Sequence, residues 1–254
     1  MVRRPPTLEA AGLRAPIPLA PITAYSMPAW IVAIESSGEP LSIALSEDDR
    51  LQGLSVVAAP RAHDRMAAEL IRRLLEDHNL EVPQLHAVAI SAGPGSFTSL
   101  RIGASLAKGL CFGSSPLLVP VPTLEALAEA AAPVAQALRL RRIMACVPGH
   151  LTPTDSGTEG WLFVQEFNPD ATPTQELQRY ELSALRPSED TLLCGPGAPL
   201  VAGGLHIPCL ERLSAEWIAT AGYRRYLQGI AAAPEEFAPI YGLEFQPREP
   251  SQRS

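Results

Sequence analysis

The chain has 254 residues, 46% hydrophobic and 19% charged, an ordinary globular composition with enough apolar residues for a sizeable core. Its formal net charge of −7 argues against binding RNA unaided, since phosphate attraction needs a basic face. No apolar run approaches the ~20 residues of a membrane span. The opening segment starts basic but is broken by prolines, without the continuous apolar centre of a signal peptide. These features predict a soluble, cytoplasmic α/β protein with no membrane partner.

Residues 1–28 read as a disordered leader. WIVAIESS, from Trp30, is a buried strand entering a turn at SGEP, and LSIALS alternates as a second strand. EDDR turns the chain into GLSVVAA, a third strand in meander order. In HDRMAAELIRRLLEDH, Met66, Ala67, Leu70, Ile71, Leu74 and Leu75 recur at helical spacing and predict one apolar face. HAVAIS is a short apolar strand, ended by the glycine-rich turn GPGSFTS. A helix then reaches position 112, PLLVPV is the next strand, and Thr123 is placed to cap the helix TLEALAEAAAPVAQAL. This alternation favours a parallel or mixed sheet with packed helices.

The second half is less regular. RRIMACV and WLFVQEF read as paired strands, and PGHLTPTDSGTEG between them as a polar loop. TLLCGPGAPL is a strand and turn, SAEWIATAGYRRYLQGI a helix, and FAPIYGLEFQ an extended tail. Cysteines 111, 146, 194 and 209 form no C-x-x-C pair and predict reduced, buried thiols.

Two turns carry candidate chemistry. Gly93, Gly95, Ser96, Phe97, Thr98 and Ser99 lie between a strand and a helix, where free backbone N–H groups suit an anion. Neither a Walker A pattern nor G-x-G-x-x-G is present, and helix capping alone accounts for the hydroxyls. Glu35, Ser36, Ser37 and Gly38 form a second candidate phosphate loop, with an ordinary hairpin turn as the alternative. Arg101 and Lys108 are the only basic residues of the helix that follows the glycine turn, roughly on one face. Its small residues Gly103, Ala104, Ser105, Ala107 and Gly109 predict a smooth surface for its own core or for another helix. The histidines at 63, 78, 86, 150 and 206 form no H-x-x-x-H, and no G-x-S-x-G elbow occurs. His63 and His78 read as surface or capping residues, with no metal site and no catalytic residue predicted.

Taken together, IVAIESSGEPLSIAL, AHDRMAAELI, AVAISAGPGSFTSLRIGASLAKGLCF and PLLVPVPTLEALA resemble the TsaB (YeaZ) family. The match is dense from Trp30 to Ala131, and weaker echoes follow in LLCGPGA and APIYGLEF. Glu35 stands where the family has Asp, Ser99 where it has Gly, and Asp64-Arg65 where it has Ser-Glu. The family's D-A-R turn is replaced by the stretch ACVPGHLTPTDSGTEGW.

The resemblance implies an actin-like (ASKHA, ribonuclease H-like) fold in two small lobes, an N-terminal one over 29–138 and a smaller, divergent one over 139–254. It implies a non-catalytic partner of the TsaD transferase in forming N6-threonylcarbamoyladenosine on tRNAs that read codons starting with A. A TsaE-like ATPase joins the pair, and tRNA is contacted only through the complex. The implied partner surface comprises His63, Met66, Ala67, Leu70, Ile71, Leu74, Phe97, Arg101, Ala104 and Lys108. No tightly bound cofactor is implied, with ATP or ADP only at a shared interface. Two readings stand beside this one: a small-molecule kinase of the actin-like superfamily, and a homodimer of the isolated chain.

Overall fold

The computed structural model describes residues 28–59, 62–155 and 157–241. The leader reading therefore falls almost wholly outside the described residues. Strands β1 (Trp30–Glu35), β2 (Leu41–Glu47) and β3 (Arg50–Val57) form the expected meander. β1 and β2 run antiparallel from Trp30↔Glu47 to Glu35↔Ser42, and β3 pairs on β2. β4 (Ala87–Gly93) and β5 (Leu117–Pro122) then add in parallel, giving the order β3-β2-β1-β4-β5.

Parallel neighbours need crossovers, and here these are α1 (Ala62–Asp77) and α2 (Phe97–Cys111). The apolar stripe of α1 packs Ala67, Leu70, Ile71, Leu74 and Leu75 onto Ile34, Leu41, Ile43 and Leu45 of the sheet. Ala104, Ala107 and Cys111 of α2 join the same core.

A second sheet has the order β10-β9-β6-β7-β8. Its strands are β6 (Arg142–Thr154), β7 (Gly157–Phe167), β8 (Gln178–Glu181), β9 (Thr191–Cys194) and β10 (Leu205–His206). Counted from its own first strand, this sheet repeats the first: an antiparallel meander on one side, two parallel strands on the other. No short-period repeat in the sequence announces the duplication, because it lies in strand order and not in residue identity. Helix α3 (Thr123–Ala137) joins the two halves and packs Leu124, Leu127, Ala128 and Ala131 against Ile143, Ala145 and Val147.

Several expectations need correction. The stretch 148–160 is no loop: β6 and β7 continue as a two-stranded ribbon whose register reaches Thr154↔Gly157. Alternating threonines and prolines look like a loop because nothing covers these residues, so no apolar period marks them. β8 and β10, at the two edges of the second sheet, went unseen because strands of four and two residues are too short to show a period. Thr123 is the first residue of α3 and not its cap, and its buried hydroxyl has no hydrogen-bond partner among the described residues. Cys111, Cys146 and Cys194 are buried free thiols as expected, whereas Cys209 is exposed.

Helix α4 (Ala215–Leu227) departs from the expected lobe boundary. It belongs in sequence to the second half, yet its Ala215, Ile218, Ala219 and Ala221 cover Ile31, Ala33, Ala87, Ala89, Val119 and Val121. The N-terminal sheet is thus sandwiched between α1 and α2 on one face and α4 on the other.

Candidate functional site

The parallel strands β1, β4 and β5 end together, where ligands collect in open α/β sheets. Both candidate phosphate loops meet there, and they meet each other. The Ser96 N–H donates to the Ser37 carbonyl at 2.7 Å. A Cβ on Gly95 would stand 2.1 Å from that same carbonyl oxygen. Only glycine lets the two backbones approach so closely.

Glu35, Ser36 and Ser37 are buried. The Glu35 carboxylate accepts from the Ser37 N–H and from the Ser37 hydroxyl, both at 2.6 Å, so it closes its own turn. Burial pushes its pKa up, and the hydrogen bonds from Ser37 and Ser91 only partly oppose this. The Ser36 N–H donates to Ser91 Oγ at 3.0 Å, and Ser36 Oγ lies buried against Gly103 without a partner among the described residues. Gly38 faces Leu213. Ser96 caps α2, accepting from the Ser99 N–H at 3.5 Å, and Thr98 is exposed one turn above the contact. The two loops are thus a packed joint. The Ser96 N–H is engaged by Ser37, and the Ser99 N–H by the cap.

The ten residues of the implied partner surface divide sharply. Ala67, Leu70, Ile71, Leu74 and Ala104 are buried in the protein's own core and offer nothing to a partner. The 3.6-residue period that picked them out reports the sheet beneath. His63 is also buried, its Nε2–H donating to the Gly38 carbonyl at 3.0 Å, so it is neither a surface nor a capping histidine. His78 does close the end of α1, its Nδ1–H donating to the Leu74 carbonyl at 2.8 Å. Met66, Phe97, Arg101 and Lys108 remain at the surface, with Met66 36% and Phe97 47% exposed. The smooth small-residue run is split in the same way, with Gly103, Ala104 and Ala107 inward, Ser105 and Gly109 outward.

Among the described residues, no group of three or more His, Cys, Asp or Glu is placed to hold a metal ion, and no helix is long and apolar enough to cross a membrane.

One segment outside the expected site reaches it. After α4 the chain bridges to the edge of β5, where the Ala232 N–H donates to the Leu118 carbonyl at 2.8 Å. Phe237 is buried in the core beneath α1 and α2. The Ile240 N–H donates to the Ala92 carbonyl at 2.6 Å, and the Tyr241 ring lies 4.6 Å from the Phe97 ring. Composition gave no hint of this contact. The only sequence signal was the echo of a family segment in APIYGLEF.

This is the two-lobed α/β fold of the actin-like class, with its strand-end crevice closed by side chains and backbone. Residues 45–146 match the family described as TsaD, tRNA N6-adenosine threonylcarbamoyltransferase. The tRNA threonylcarbamoyladenosine biosynthesis protein TsaB of Haemophilus influenzae is 35% identical over 107 residues, 42% of this chain and 45% of that protein. TsaB of Escherichia coli is 32% identical over 40% of this chain and 43% of its own length. The tRNA N6-adenosine threonylcarbamoyltransferase of Pyrobaculum calidifontis is 33% identical over 38% of this chain and 32% of its length. The aligned region therefore spans less than half of each of these relatives. In fold, YeaZ from Pseudomonas aeruginosa superposes with a TM-score of 0.65 at 19% identity, over 84% of this chain and all (100%) of that one. Over the aligned region the chain is similar to the TsaB (YeaZ) family, and its fold is that of YeaZ.

Proposed function

We propose that this chain acts in tRNA threonylcarbamoyladenosine biosynthesis as a non-catalytic, partner-binding subunit of a TsaD-type transferase. Relatives named for that pathway align with about two fifths of the chain, and one of them is a transferase. The observation that carries the non-catalytic reading is the joint between the two loops. With Ser96 N–H on the Ser37 carbonyl and Gly95 close against it, the two candidate phosphate loops are engaged with each other. On this reading the chain is not a small-molecule kinase, and any ATP or ADP is held at an interface shared with the partner.

The partner surface is the outer face of α1 and α2, around Met66, Phe97, Arg101 and Lys108. Exposed aromatic and Met side chains beside Arg are the composition of interface hot spots. The acidic chain, net −7, leaves most tRNA contact to the partner, and a TsaE-like ATPase completes a cytoplasmic assembly on tRNAs reading codons that start with A. In isolation the same face is open to a second copy of the chain.

Reconstitution tests this. The purified chain, a TsaD-type transferase from the same cell and the pair are each supplied with threonylcarbamoyl-adenylate and tRNA, and modified adenosine is measured by mass spectrometry. Product is expected only where the transferase is present, with the highest yield from the pair. Product from this chain alone, or no physical association between the two proteins, sinks the proposal.

A further inference from the structure

The strap that reaches Tyr241 touches the proposed docking face at Phe97, which is 47% exposed. Phe97 sits on the first turn of α2, with the Arg101 guanidinium 5.4 Å from the ring centre one turn later. Tyr241 approaches the same ring at 4.6 Å with the planes tilted by 44°, within the range of favourable aromatic pairs. Tyr241, Phe97 and Arg101 therefore form one stack across two distant parts of the chain.

The strap is fastened just before it reaches the stack. Phe237 is buried in the core and the Ile240 N–H holds the Ala92 carbonyl. Gly93 has φ +96, and a Cβ there would stand 2.3 Å from the Ile240 carbonyl oxygen, so this strand end is shaped to admit the strap. Between the strap and the ends of β4 and β5, a cavity of only about 10 Å³ remains. Among the described residues no carboxylate pairs with Arg101, although α1 carries three Arg–Glu pairs of its own.

We infer that Tyr241 is a positioning residue for partner docking: it holds the Phe97 ring, and through it Arg101, ready for a protein partner that presents a carboxylate beside an apolar side chain. The inference rests on the partner reading above and commits to the transferase-type chain as occupant. Fixing an aromatic anchor before association removes ordering cost, which is how a contact outside the interface strengthens binding.

The test is calorimetric titration of the full chain into a purified TsaD-type transferase. Tyr241→Ala is expected to bind about three- to tenfold more weakly, and Tyr241→Phe within about twofold of the parent, because the ring makes the contact. In the double variant Phe97→Ala/Tyr241→Ala the losses are expected to be less than multiplicative. Arg101→Gln is expected to abolish most of the salt dependence of binding. Hydrogen exchange on the unmutated chain gives an arm free of folding effects: amides of 237–241 are expected to gain protection on binding. Unchanged affinity of Tyr241→Ala, or unchanged protection of the strap in a complex that does form, overturns the inference alone. Failure of the unmutated chain to bind overturns the partner reading, and this inference with it.

Discussion

A methyl group placed on Gly103 would stand 2.0 Å from Ser36 Oγ and 2.8 Å from Ser36 Cβ, whereas one placed on Gly109, two turns along the same helix, would meet nothing within 4 Å. The two glycines share a helical conformation and the same propensity cost, yet their environments are opposite. Gly103→Ala is therefore expected to lower the stability, by about 1–3 kcal/mol of overpacking less a fraction regained in helix propensity. Gly109→Ala is expected to raise it by about 0.5–1 kcal/mol. Thermal unfolding of both variants checks the contrast, and equal shifts would refute the packing of α2 on the β1 turn. Glu35 supplies a second residue-scale expectation. Burial raises its pKa, so the folded chain holds this proton more tightly than the unfolded chain does. Its stabilising effect is present below the ordinary 4.5 and is lost as pH rises through the raised value. Glu35→Gln keeps the acceptor for Ser37 without the buried charge. It should gain stability relative to the parent at neutral pH and lose that advantage in acid. A denaturation series across pH would show the two curves converging at the acid end; parallel curves would refute the assignment.

At the scale of the element, the β6–β7 ribbon and α4 differ in what they contribute. The ribbon's outer rungs, Thr152↔Glu159 to Thr154↔Gly157, bury no side chain. Its inner end is anchored by Trp161, which lies edge-on to Phe163 with the Arg179 guanidinium 4.5 Å from its ring centre. Replacing residues 152–159 by Asn-Gly would join Leu151 to Gly160 through a two-residue hairpin turn. The melting temperature is expected to stay within a few degrees of the parent; a large fall would show that the outer ribbon carries packing. α4 instead binds to α3 by two ion pairs, Arg224–Glu129 at 3.0 Å and Arg225–Glu125 at 3.2 Å. Burial pushes Glu125 and Glu129 upward and the facing arginines pull them back, so these carboxylates depend on the partners that α4 brings.

The whole molecule is two copies of one sheet arrangement, and neither half is self-sufficient. α3 leaves the first half to cover the second sheet, while α4 leaves the second half to cover the first. A chain ending at Leu213 would keep every strand of the N-terminal sheet but expose the apolar face formed by Ile31, Ala33, Ala89 and Val121. Such a chain is expected to be insoluble or unfolded, as read by circular dichroism and gel filtration. A folded, monomeric fragment would show that α4 is dispensable to that sheet.

Local pattern was enough for the first half. Alternating and continuous apolar runs marked β1, β2, β4 and β5, and the 3.6-residue period marked α1, because each element buries a continuous stripe on its neighbours. The turn SAGPGSFTSLRIG was legible as a turn and a helix start, since its glycines, proline and hydroxyls have local conformational meaning. Which of its neighbours it would meet was not. The closure of Gly95 on Ser37, the burial of His63, the return of α4 to the first sheet and the approach of Tyr241 to Phe97 join residues 25 to 190 positions apart, across elements with no shared period. The apolar face of α1 looks identical in sequence whether it covers a sheet or a partner, and only the sheet beneath it decides. The sequence by itself determined the elements of the first half and the family resemblance; the tertiary structure decided that the glycine-rich turn packs on the turn after β1, because only three-dimensional contact tells which backbone groups meet.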